Sequence, residues 1–238
     1  MYDYLVLYLG LAWLGLLCLG WTLVTIILYP VLPARYARRL GRFAIMAGFR
    51  LYLHSLSLSQ RCTFDLTALD ALRGETPLII APNHPSLLDA VMIISRLPNV
   101  ACVMKAELMG NMFLGAGSRF ASYIRNEPVR RMMSLATENM QGGSHLLLFP
   151  EGTRTIDGAV NPIKGCVGLI AKQAGVPVQT ILIETNSAYL SKGWPLFRKP
   201  VMPIHYRVRL GRRFDPPQDG HRFITELEEY FAQELSPA

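Results

Sequence analysis

Hydrophobic and polar positions follow three regimes along the chain. Residues 4–34 carry no charged side chain and are mostly Leu, Gly, Trp, Val and Ile. At about 1.5 Å per residue, about 20 apolar residues cross a hydrocarbon core. The run therefore predicts a transmembrane or membrane-inserted helix within residues 1–34. Residues 35–57 mix Arg38, Arg39, Arg42 and Arg50 with Phe, Ile, Met and Leu. They predict a basic amphipathic helix, with the arginines on one flank facing anionic lipid or simply water. Over residues 58–238, short apolar runs alternate with helical stretches. Strands are predicted near 60–66, 77–82, 100–104, 145–149, 177–183 and 202–210, and helices near 86–96, 129–141, 164–174 and 219–235. This alternation predicts an α/β domain whose mostly parallel central sheet is flanked by helices. Ligands are then expected at the carboxyl ends of the strands.

Charge sharpens the reading of the N-terminal run. Arg35, Arg38, Arg39 and Arg42 follow it, and only Asp3 precedes it. The positive-inside bias puts the N-terminus outside and residues 35–238 in the cytosol, at an inner or plasma membrane. The alternative is a helix in the interface, with Tyr2, Tyr4, Tyr8, Trp13 and Trp21 at headgroup level. The run is too long for a signal-peptide core and lacks a charged leader, so cleavage is not expected. The net charge of +7 suits an anionic partner, and a mean hydropathy of +0.25 favours membrane contact. Cys18, Cys62, Cys102 and Cys166 are scattered, without a CxxC pair or metal-ligand spacing. Neither a disulfide framework nor a metal site is expected. The arginines have no stacking motif around them, so no nucleic-acid partner is expected.

Two apolar runs break into polar turns. After residues 77–80, the stretch NHPSLLD presents Asn83, His84, Ser86 and Asp89. Ser86 and Asp89 have the spacing of a capping box ahead of an apolar helix, which by itself accounts for both. Capping does not account for His84. A helix starting near Ser86 brings the Asp89 carboxylate back toward the imidazole, where it fixes the tautomer and supports a cation. Asn83 either hydrogen-bonds around this site or merely turns the chain. The second stretch, FPEGTRT, follows another buried run. Pro150 ends the strand and Gly152 allows close backbone approach, while Glu151, Thr153 and Arg154 offer an acceptor, a hydroxyl and a planar fork suited to phosphate. Either block alone reads as a cap or a solvated turn. Together, at strand exits of one sheet, they read as a site.

NHPSLLD resembles the H-x-x-x-x-D motif of the glycerolipid acyltransferases, the family that includes 1-acylglycerol-3-phosphate acyltransferase. FPEGTRT is similar to that family's F-P-E-G-T-R-S block. Lys105-Ala106-Glu107-Leu108 resembles its K-x-E-L segment, and Lys164-Gly165 with Gly175-Val176-Pro177-Val178 resembles its K-x-G … G-x-P-V run. The match is collinear over about residues 60–185. The resemblance implies a membrane-bound O-acyltransferase with no cofactor. Its acyl donor is an acyl thioester, acyl-CoA or acyl-carrier protein, and its acceptor a lysophospholipid hydroxyl. His84 is then the general base, oriented by Asp89, and Glu151, Gly152, Thr153 and Arg154 form the acceptor pocket. Lys105 and Arg125 are further substrate-binding candidates, Lys105 also reading as a solvated lysine. Where the family has an aromatic-Ile-Asp-Arg pattern, this chain has Tyr123-Ile124-Arg125-Asn126. An arginine survives but its order does not, which leaves Arg125, Arg130 or Arg131 to serve, or a different acceptor.

Other chemistries fit less well. A serine elbow fails at 115–119, where GAGSR replaces G-x-S-x-G, and there is no P-loop string. A non-catalytic membrane lipid-binding protein keeps the basic pocket without needing His84. His54, His145, His205 and His221 lack a matching acidic block and read as surface or core residues.

Overall fold

The computed structural model describes residues 1–156 and 159–236. Seven strands form one sheet: β1 (Cys62–Asp65), β2 (Ile79–Pro82), β3 (Val100–Met104), β4 (Ile124–Arg125), β5 (His145–Leu147), β6 (Val178–Thr185) and β7 (Ile204–Phe214). Their spatial order is β1-β7-β6-β2-β5-β3-β4. Among the described residues, only the β6–β7 pairing is antiparallel. The carboxyl ends of β2 through β6 therefore open on one edge, as the predicted α/β class requires. The six predicted strands all form. The two-residue β4 was not predicted, being too short to carry an alternating pattern.

Two cores sandwich the sheet, because successive strand residues point to opposite faces. Ile79, Leu146, Val178 and Leu182 enter one core; Ile80, Leu147, Ile181 and Ile183 enter the other. The first core is covered by α5 (Val129–Gln141), α6 (Cys166–Ala174) and α7 (Gly220–Leu235). The second is covered by α3 (Leu88–Ile94) and by the N-terminal helices α1 (Tyr2–Leu28) and α2 (Ala34–Leu58). A short helix not predicted from the sequence, α4 (Gly115–Phe120), takes α1 at a glycine notch. A Cβ on Gly117 would lie 2.6 Å from the Trp21 ring.

Helix α1 is long and apolar enough to cross a membrane, yet both of its ends dock on the α/β domain. At one end Asp3 pairs with Arg61 at 3.0 Å and with Lys199 at 3.5 Å. At the other, the Thr22 hydroxyl donates to the Phe113 carbonyl at 3.1 Å, and Tyr29 lines a cleft with Arg125. The helix thus traverses the sheet from the β1 side to the β4 side. Asp3 thus touches the domain directly, an arrangement that fits the interfacial alternative. Charge bias could not reveal it, since the decisive ion pairs join residues far apart in sequence.

Helix α2 also departs from its expected flank. Arg42 is buried against the domain, while Arg39 and Arg50 stay exposed. Its guanidinium donates to Ala121 O, Asn99 Oδ1, Ser144 Oγ and Asn139 Oδ1 at 2.6–3.1 Å. With neutral partners only, burial pulls its pKa down to about 10. Arg42→Met strands those acceptors and is expected to destabilise the chain by about 3 kcal/mol, read by denaturant unfolding.

Candidate active site

Register brings the two polar turns together. Strand β2 pairs with β5 so that Ile79 faces Leu146 and Ile80 faces Leu147. The same offset of 67 residues carries His84 to Glu151. There the His84 backbone N–H donates to Glu151 Oε1 at 2.9 Å, and the Thr155 N–H donates to the His84 carbonyl at 2.8 Å. Two hydrogen bonds to one residue's backbone thus lock the turns to each other.

The imidazole is fixed from two sides. Its Nδ1 lies 2.8 Å from Asp89 Oδ2, and its ring stacks on Phe149 with centroids 3.8 Å apart. A carboxylate accepts, so Nδ1 carries the proton and Nε2 presents a lone pair. Among the described residues Nε2 has no partner, and the side chain keeps 15% exposure. The same Oδ2 accepts the Ser86 N–H at 2.8 Å, and Ser86 Oγ accepts the Leu88 N–H at 3.3 Å. Helix capping and histidine support therefore coexist in one carboxylate. Ser86 also donates to the Tyr189 carbonyl and lies 3.2 Å from the Tyr206 hydroxyl.

Burial penalises both acids. Asp89 is wholly buried, and desolvation lifts its carboxyl to about 6 against the downward pull of its bonds to His84 and Ser86. Desolvation also raises Glu151, opposed by donors from Asn161, Thr155 and His84. Glu151 is 1% exposed. Its oxygens accept from His84 N, the Thr155 hydroxyl and Asn161 N at 2.8–2.9 Å.

The remaining candidates sit along the same edge in different settings. Gly152 takes φ +70°, the left-handed conformation that glycine favours, and is exposed. Thr153 is half-buried. Arg154 Nη1 donates to the carbonyls of Leu190 and Ser191 at 2.8 and 2.9 Å, so part of the expected phosphate fork already holds a neighbouring loop. Nε and Nη2 have no partner among the described residues. Lys105 follows β3 and is exposed, two strands from β2 and on the order of 10 Å away along the edge. Arg125, one strand further, lines a cleft of about 1080 Å³ with Tyr29, Arg119, Tyr123, Glu127 and Arg131. Asn126 does not join it: its Oδ1 accepts the Ala106 N–H. Asn83 bridges to β6, donating to Ile183 O and accepting from Ile183 N. The other histidines behave as expected; His145, for instance, is buried and accepts the Leu78 N–H.

Sequence reasoning missed Phe149, Thr155 and Asn161 as parts of the site. Phe149 and Thr155 lay inside the quoted block, but stacking and hydroxyl contacts have no spacing rule. Asn161 serves Glu151 through its backbone amide, which leaves no side-chain signature.

Comparisons with known proteins bear on the family and the fold. Residues 63–184, about half of the chain, match the family model described as Acyltransferase. The 1-acyl-sn-glycerol-3-phosphate acyltransferase of Pseudomonas aeruginosa is 24% identical over 217 residues, covering 88% of this chain and 80% of that one. Human 1-acyl-sn-glycerol-3-phosphate acyltransferase beta is 30% identical over 127 residues, 50% of this chain and 45% of its own length. The fold matches the crystal structure of the 1-acyl-sn-glycerophosphate acyltransferase PlsC from Thermotoga maritima with a TM-score of 0.64. That likeness covers 93% of this chain and 94% of that one at 20% identity.

Two outcomes are expected of the buried acids. A folded-state pKa above the unfolded value means that the folded chain binds the extra proton. The Asp89 contribution to stability is thus full below the ordinary aspartate pKa and lost as pH rises through about 6. Asp89→Asn should therefore gain stability relative to the parent between roughly pH 4 and pH 7, measured by denaturant unfolding across pH. Glu151→Gln turns an amide NH₂ toward a backbone N–H and should cost about 1–3 kcal/mol by the same measurement.

Proposed function

The chain belongs to the acyltransferase family, and from that premise we propose that it moves a fatty acyl chain from an acyl thioester to a hydroxyl of a lysophospholipid such as 1-acylglycerol-3-phosphate. The observation that carries the mechanism is the Nδ1–Asp89 hydrogen bond, which leaves Nε2 free as a base. Nε2 takes the proton of the acceptor hydroxyl as its oxygen attacks the thioester carbonyl. The tetrahedral oxyanion then collapses, expels the thiolate and returns the proton from the imidazolium to sulfur. No acyl-enzyme forms. Asp89 holds the tautomer and stabilises the cation, at the cost of its own burial. Backbone N–H groups of Thr153 and Arg154, without partners among the described residues, are the donors we assign to the oxyanion.

Glu151 acts as a positioning residue in this reading, since its acceptors serve its own chain. The acceptor phosphate is assigned to the cations along the carboxyl edge: the free face of Arg154, Lys105, and the cleft holding Arg125, Arg119 and Arg131. None of these five is ion-paired among the described residues. The altered Tyr123–Asn126 order favours a second reading, the same chemistry on an acceptor without a glycerophosphate.

Membrane association completes the proposal. Helix α1 exposes Leu5, Leu9, Leu16, Leu23, Ile26 and Ile27 at 50–69%, and its docking along the domain suits a helix lying in the interface. The acceptor is then drawn from the leaflet on which the domain rests, which we assign to the cytoplasmic side, and the domain organisation is a membrane-lying hairpin followed by a catalytic domain.

His84→Ala is expected to lower acyl transfer by about 10²–10⁴-fold with the fold intact, measured with labelled acyl-CoA and 1-acylglycerol-3-phosphate. Equal turnover by the variant would remove His84 as the base. Asp89→Asn should lose turnover while its stability rises as stated above, the opposite of a purely capping residue, whose loss would cost stability and spare turnover.

A further inference from the structure

The 192–201 segment, KGWPLFRKPV, lies outside both polar turns and outside the residues matched to the family. Its apolar side chains point outward: Leu196 is 46% exposed, Phe197 66% and Val201 88%. Lys192 and Arg198 are exposed beside them. Solvent is a poor environment for three large apolar groups on one short loop.

The loop nevertheless has defined internal order. The Trp194 indole N–H donates to Arg198 O at 3.1 Å, the Arg198 guanidinium lies 4.9 Å over the Trp194 ring, and Trp194 packs edge-on against Tyr189. Its base is built into the active site. The Leu190 carbonyl accepts both the Leu87 N–H, from the His84 turn, and Arg154 Nη1, from the Glu151 turn. The Tyr189 carbonyl accepts the Ser86 hydroxyl. Its tip is continuous with α1: Phe197 lies 6.3 Å from the Tyr8 ring, and Lys199 pairs with Asp3. The apolar tip thus extends the exposed stripe of α1, and its cations suit anionic headgroups.

We propose that the 192–201 loop is a second membrane anchor, which inserts Leu196, Phe197 and Val201 into an anionic lipid surface and seats the mouth of the site on it. Apolar tips ringed by Lys and Arg, with a tryptophan at their base, fit a bilayer interface. Continuity with α1 makes the surface one plane. The inference deepens the membrane-bound acyltransfer reading and rests on it only for the effect on turnover.

The test uses the full chain carrying Trp13→Phe and Trp21→Phe, so that Trp194 alone reports. Vesicles of phosphatidylcholine with phosphatidylglycerol, their acyl chains brominated, are expected to quench Trp194. Phe197→Asp with Val201→Asp should abolish that quenching. The pair should also lower turnover of a vesicle-borne acceptor at least tenfold while sparing a short-chain, water-soluble one. Hydrogen exchange on the unsubstituted chain gives a second reading: amides of 192–201 should gain protection with the same vesicles. Neither optical nor exchange readout needs catalysis, so a chain inactive as an acyltransferase still tests the anchor. An unquenched Trp194, equal quenching in the double variant, or unchanged exchange would overturn it. So would a lipid-independent, concentration-dependent shift of Trp194, which would make a second copy of the chain the occupant.

Discussion

Glu151 is a carboxylate sealed inside the molecule, and every group it accepts from belongs to its own chain. It takes the His84 amide from one strand exit, the Thr155 hydroxyl from its own turn, and the Asn161 amide beyond it. A buried carboxylate is costly unless its lone pairs are filled, so these donors must converge where they do. Parallel pairing of β2 and β5 makes that convergence possible by setting residues 84 and 151 at the same height. Break either the register or the carboxylate, and the imidazole, the 152–154 turn and the base of the 192–201 loop lose their common reference.

Asp89 shows the opposite use of a buried acid. One of its oxygens is shared by His84 and Ser86, while the other has no partner among the described residues. A carboxylate so placed destabilises the fold when ionised, and it is ionised when it supports an imidazolium. Stability is given up where charge is needed for the proton transfer we propose. The two acids thus differ in setting: Glu151 has its oxygens filled by its own chain, and Asp89 keeps one unfilled.

Much of this was legible beforehand, and the rest was not for definite reasons. Alternation of apolar runs gave the strands and the α/β class, since burial on both faces leaves a continuous signature. The His84 and Glu151 turns were visible because chemistry at strand exits breaks that signature abruptly. Register was invisible, and with it the pairing of His84 with Glu151. Arg42 read as facing lipid or water because its helix is amphipathic; its four neutral acceptors lie 57 to 102 residues away. Arg154 read as a phosphate ligand because its motif said so, whereas one of its nitrogens holds the carbonyls of residues 190 and 191. Single-residue chemistry is local; its partners are not.

The first helix has a consequence for how such chains are parsed. Its 27 residues extend about 40 Å at about 1.5 Å each. The seven-stranded sheet it overlies is roughly 29 Å wide at about 4.8 Å per strand spacing. A bilayer's hydrocarbon interior is about as thick as that sheet is broad. An apolar segment long enough to overlie such a sheet is therefore also long enough to cross a membrane, and no hydropathy window distinguishes the two. In this chain the same helix meets the domain at Asp3 and again at Thr22, so its length serves docking as well as any contact with lipid.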